Sequence, residues 1–206
     1  MHPEAERLFA LEEALRTEAE RVLRESGLGD MLARAGYEAA GSYALRTMTW
    51  RHLDFHRPET VPDWEGHWEL GDRLARSPWC WRIECLDNHR MANGQPSLYW
   101  GLRLADPAIP ELVEREGPDV WKIDLLSMSP EDFRAGRARR ERWMAVMTEE
   151  CRAAVLLIKD AVCRLPEYRR ELTSVHIYEA VLEHGIGDLE GFRRWWSATQ
   201  SEEAGL

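Results

Sequence analysis

Lysine is nearly absent from this 206-residue chain: Lys122 and Lys159 are the only two, and arginine carries the rest of the basic charge. The 27 basic residues are outnumbered by 37 acidic ones, for a formal net charge of −10. Proteins that draw affinity for duplex nucleic acid from neutralised phosphates need the opposite balance, so no duplex partner is expected. Cysteine is also scarce. Cys80, Cys85, Cys151 and Cys163 form no C-x-x-C pair, which speaks against a structural zinc site and predicts reduced, partly buried thiols. No apolar run approaches the length of a bilayer, and the opening MHPEAERLFALEEALRTEAERVLRESG has acids where a secretory leader is basic and then apolar. A cytoplasmic protein without membrane contact is expected. There is no repeat and no low-complexity linker, and nothing in the sequence sets an oligomeric state.

The chain is long enough for one α/β domain with a helical appendage or for two small domains. Leu8, Leu11, Leu15, Val22 and Leu23 recur on one helical face, which predicts an amphipathic helix over residues 4–26. A short helix ending at Gly36, a brief strand entering Gly41 and a strand over residues 49–55 follow. VPDWEGHWELGDRLARS has helical spacing. WCWRIECLD and SLYWGLRLAD are strand-like and are joined through Asn93-Gly94, which predicts an antiparallel pair with a long connection. DVWKIDLLSM is a further strand. Ser129 and Pro130 open one long helix running through CRAAVLLIKDAVCRL to Pro166, and two short helices separated by HGIGD complete the chain.

The chemistry concentrates in GSYALRTMTWRHLDF and WKIDLL. Period-two alternation places Trp50, His52, Asp54 and His56 on one strand face, and Lys122 and Asp124 on one face of the later strand. Gly41-Ser42 precedes a short helix whose first N–H groups suit an anion, and carboxylates on neighbouring strands can hold a divalent cation that bridges phosphates.

On these residues the chain resembles the nucleotidyltransferase superfamily, which includes DNA polymerase beta and the antibiotic nucleotidyltransferases. That pattern is Gly-Ser, a second glycine, Asp-x-Asp on a strand and a third acid on a later strand. Gly41 and Ser42 match the opening pair, Asp54 the second acid and Asp124 the third, over roughly residues 36 to 128. His52 stands where the first acid belongs, and Arg46 where the second glycine belongs. Taking Asp54 as the first acid and His56 as the second leaves too long a spacing from Ser42.

The resemblance implies an α+β fold: a nucleotidyltransferase-type mixed sheet flanked by helices in residues 1–128, then a helical region in 129–206. It also implies transfer of a nucleoside monophosphate from a nucleoside triphosphate to a hydroxyl of a small molecule. Asp54 and Asp124 would be catalytic and, with His52, would bind the metal. Gly41, Ser42, Lys122 and Lys159 would bind nucleotide. The cofactor would be a divalent cation, magnesium or manganese, with zinc admitted because imidazole is a poor magnesium ligand. The acidic chain favours a small, cationic acceptor such as an aminoglycoside-like molecule.

Plainer roles stand beside these. Ser42 suits a helix N-cap, Asp54 a solvated strand end, His52 a half-buried histidine and Lys122 a lysine lying along Trp121. The missing first acid equally fits a catalytically impaired protein that keeps the fold as a nucleotide-binding or protein-interaction module. Glu84 with Arg82, and Tyr99 with Arg103, share strand faces that can line a pocket as base or phosphate clamp. The ten tryptophans are expected mainly in the core.

Overall fold

The computed structural model describes residues 3–90, 97–109, 120–168 and 170–203. The fold is α+β, and the chain divides into two compact units, Leu15–Arg140 and Met1–Ala14 with Glu141–Leu206. These units are drawn differently from a division at residue 128, because the start of the first helix groups with the C-terminal helices. The Asn93-Gly94 connection and the acidic stretch EREGPD lie outside the described residues.

The first unit is built on five strands: β1 (Glu38–Ala40), β2 (His52–Pro58), β3 (Cys80–Asp87), β4 (Ser97–Leu104) and β5 (Trp121–Met128). Their order is β1-β2-β5-β4-β3, with β2 and β5 parallel and all other neighbours antiparallel. Alternation sets the two faces apart. Leu53, Phe55, Trp100, Leu102, Ile123 and Leu125 are buried on the apolar face, and their removal from water is the main force holding the sheet. Helix α1 (Pro3–Glu25) contributes Leu15, Ala19 and Val22 to the core of this unit. Helix α2 (Leu28–Arg34) adds Leu28 and Leu32, and α4 (Trp64–Ala75) adds Leu70 and Leu74. Helix α4 comes so close to β4 that a side chain at Gly71 would run into the Trp100 ring. His67 on α4 is fully buried and stacks on Trp100 at 4.7 Å between ring centroids.

Strand β2 begins three residues later than its composition predicts. His52 N–H bonds back to Trp50 carbonyl at 2.9 Å, so residues 49–51 turn and extended pairing starts only at His52. The short helix α3 (Gly41–Leu45) fills the segment between β1 and β2.

The single long helix expected after Pro130 is two helices, α5 (Pro130–Val146) and α6 (Glu149–Val162). Thr148 separates them: its backbone is extended (φ −81°, ψ 171°) and its hydroxyl accepts the Cys151 N–H at 3.2 Å, a cap that starts a new helix. In the helical unit, α6 packs with α7 (Ser174–Leu182) and α8 (Leu189–Glu203) through Val155, Leu156, Ile158, Ile177, Val181 and Phe192. Arg152 reaches the fully buried Glu12 at 2.6 Å. All four cysteines are free and half-buried. No helix among the described residues is long and apolar enough to cross a membrane.

Candidate metal centre

The parallel register of β2 with β5 sets Asp54 beside Asp124 and His52 beside Lys122. Registered neighbours share a sheet face, so all four side chains rise together from the polar side. His52 Nε2 lies 2.8 Å from Oδ2 of Asp124 and 3.5 Å from Oδ1 of Asp54. One ligand atom from each of His52, Asp54 and Asp124 falls within 4.8 Å of the others, and this cluster can hold a metal ion. One imidazole with two carboxylates suits a first-row divalent cation better than magnesium.

Asp124 is the most enclosed of the three, with a side chain 12% exposed. Burial alone would raise its pKa. The hydrogen bond and charge of His52, together with Lys122, outweigh that and hold the carboxyl well below its ordinary range. Lys122 Nζ reaches Oδ2 at 2.6 Å, and the Tyr99 hydroxyl donates to Oδ1 at 2.8 Å. Burial and then the charge of Asp124 push the Tyr99 phenol far above its usual pKa, so it stays a donor. His56, one step along β2 on the same face, is pushed down by burial against the pull of Asp54.

Helix α3 meets this cluster at Gly41, which has φ 56° and lies so close to Asp54 that a Cβ would collide with its carboxylate. Only a glycine satisfies both conditions without strain. Ser42 follows on α3 and is half-buried. At the other end of α3, Arg46 has φ 56° and ψ 44° and is the only non-glycine among the described residues with positive φ. This is the position at which the sequence pattern calls for a second glycine. Neither a family model, a curated protein nor a solved structure matches the chain.

Of the sequence-derived candidates, His52, Asp54, Asp124 and Lys122 are gathered in one cluster with Gly41 against it. Lys159 is not among them. It lies on α6 in the helical unit with its side chain fully buried, and an ammonium enclosed in a core does not meet a soluble phosphate.

Strand pairing brings in groups whose partners no local pattern reveals. Gly101 on β4 stands between Asp124 and Glu84 in register. A Cβ at Gly101 would come within 2.5 Å of the Tyr99 hydroxyl and 2.7 Å of Glu84 Oε1, so both side chains lean into the space the glycine leaves. The signal available in the sequence was the lone glycine inside an otherwise bulky strand, SLYWGLRL.

Proposed function

We propose that the sheet unit carries a nucleotidyltransferase-type site that transfers a nucleoside monophosphate from a nucleoside triphosphate to a hydroxyl of a small molecule. The observation that carries this reading is the pairing of Asp54 with Asp124 in register on adjacent parallel strands, with His52 in ligand reach of both. The left-handed backbone of Arg46, where the resembling proteins have glycine, supports it independently.

His52, Asp54 and Asp124 would hold the divalent cation, which supplies charge neutralisation for the phosphates and polarises the transferred group. Gly41, lacking a side chain, leaves the backbone beside Asp54 open to the phosphate chain. Lys122, released from Asp124, offers a second positive group. The acceptor oxygen attacks the α-phosphorus, the bond to the bridging oxygen of the β-phosphate breaks, and pyrophosphate departs. Glu84 is the carboxylate placed to take the hydroxyl proton; among the described residues it has no hydrogen bond or ion pair.

One observation favours a binding module without catalysis. Both oxygens of Asp124 are already engaged, Oδ1 by Tyr99 and Oδ2 by His52 and Lys122, so the protein neutralises this carboxylate without a metal.

Thermal stabilisation by each nucleoside triphosphate with magnesium, manganese or zinc tests the reading. The expected result is a metal-dependent rise in Tm that is lost in Asp54→Ala and Asp124→Ala; a ligand at about 100 times its Kd adds roughly 2.7 kcal/mol. No rise with any combination overturns it.

A further inference from the structure

The two oxygens of Asp124 face different strands. Strand β5 lies between β2 and β4; Oδ2 meets β2, where His52 Nε2 is 2.8 Å away, and Oδ1 meets β4, where it accepts the Tyr99 hydroxyl at 2.8 Å. Tyr99 is not the registered neighbour of Asp124: Gly101 is, and Tyr99 pairs with Leu126. The phenol therefore reaches the carboxylate diagonally, from two residues along the same face, a span within reach of an aromatic side chain. It can do so because Gly101 leaves the intervening position empty. A Cβ there would stand 2.5 Å from the Tyr99 hydroxyl and 2.7 Å from Oε1 of Glu84, which is registered with the glycine on β3. Lys122 Nζ, by contrast, shares Oδ2 with His52, at 2.6 Å. A cation entering the cluster takes Oδ2 and repels the ammonium; a neutral hydroxyl on the far oxygen meets no such repulsion and stays.

We infer that Tyr99 sets the metal specificity of this centre by confining Asp124 to coordination through one oxygen. Hydrogen bonds to a ligating carboxylate fix its orientation and tune which cation it suits. Calcium takes roughly six to eight oxygen ligands and draws on carboxylates that offer both oxygens, whereas first-row divalent cations need fewer ligands and accept imidazole. A centre with one nitrogen from His52 and a single oxygen from Asp124 favours manganese or zinc and refuses calcium. Tyr99 acts through Asp124 and does not itself touch the cation. That makes it a positioning residue, a role distinct from the base or phosphate clamp that its strand face suggests. The inference rests on the metal centre of the proposed reading and not on nucleotidyl transfer.

Calorimetric titration of the full chain with manganese chloride and with calcium chloride tests this. The parent is expected to prefer manganese. Tyr99→Phe keeps the ring and frees Oδ1, and the ratio of manganese to calcium affinity should narrow about tenfold. Gly101→Ala, whose Cβ collides with the hydroxyl, should narrow it in the same direction. Tyr168→Phe, which removes a hydroxyl in the helical unit, should leave the ratio at the parent's value. A tyrosine that only packs would, when changed, weaken both cations alike. An unchanged ratio in Tyr99→Phe therefore overturns the inference, as does a parent with equal affinity for the two ions. Nucleoside triphosphate is then titrated at saturating manganese. A narrowed ratio in a protein that takes no nucleotide supports the specificity role and overturns the transferase reading; an unchanged ratio in a protein that binds nucleotide overturns the specificity role alone. A parent that binds neither cation overturns both.

Discussion

The Lys122 ammonium sits 2.6 Å from Oδ2 of Asp124, on the same oxygen that His52 Nε2 reaches at 2.8 Å. The lysine thus takes up one of the positions a metal would use. A cation entering the cluster must displace it, and the released ammonium then faces whatever anion accompanies the metal.

Lys122→Met separates these two effects. Removing the resident positive charge should raise manganese affinity about tenfold, a change of about 1.4 kcal/mol, and weaken binding of the metal–nucleotide complex by a similar factor. Calorimetric titration of manganese alone, then of nucleotide at saturating manganese, reads each. Unchanged manganese affinity would show that Lys122 does not compete for the site.

The two ends of α3 should respond in opposite directions. Gly41→Ala adds a Cβ at φ 56° against the Asp54 carboxylate, so a stability loss of about 2 kcal/mol and a displaced Asp54 are expected, with metal affinity falling in parallel. Arg46→Gly relieves a left-handed arginine and should add up to about 1 kcal/mol. Urea unfolding of both variants checks the signs, and a destabilised Arg46→Gly would mean that the arginine side chain contributes more than its backbone costs.

Much of this architecture is legible in the sequence because alternation is local. The apolar face of β5, with Ile123 and Leu125, and the shared face of His52 and Asp54 follow from a period of two. Register does not follow from it. That Asp54 meets Asp124, and that Gly101 brings Glu84 toward the same carboxylate, depends on which strands pair, and the parallel β2–β5 neighbours are separated in sequence by two other strands. The break at Thr148 is not marked by its residue type alone, because a threonine inside a helix can also bond its hydroxyl to the carbonyl one turn back. Lys159 is a related case: helical spacing shows which side chains share a face, and here the face carrying the lysine is turned into the core.

Acid should weaken the fold in two windows. His67 is fully buried, and burial, with the nearby Arg57, lowers its pKa to about 4 from an ordinary 6.5. Above pH 6.5 it is neutral folded or unfolded and contributes nothing to the pH dependence. Between 6.5 and 4 the unfolded chain takes up a proton that the folded chain refuses, so stability falls as pH falls, by at most about 1.4 kcal/mol per pH unit. His67→Phe keeps a ring against Trp100 and should flatten this slope, leaving the share of His56, which burial shifts the same way. Asp124, shifted down, adds stability that is lost only below about pH 4. Urea unfolding from pH 7 to pH 3 resolves the two, and an unchanged slope in His67→Phe would assign the upper window to another group.

The substitution that tests the centre most directly is His52→Asp. It places a third carboxylate beside Asp54 and Asp124, with Lys122 as the nearest counter-charge, so without metal the protein should lose about 1–2 kcal/mol through repulsion on a half-buried face. The same change turns a mixed nitrogen and oxygen site into an all-oxygen one, which suits magnesium. Magnesium affinity should rise at least tenfold, the preference for manganese over magnesium should narrow, and magnesium should restore the lost stability. Nucleotidyl transfer appearing with magnesium in the variant and absent from the parent would identify the parent as a binding protein whose reaction lapsed with this one ligand. Transfer present in the parent with manganese and lowered in the variant would make His52 a working ligand. Equal metal selectivity in both proteins would remove His52 from the centre altogether.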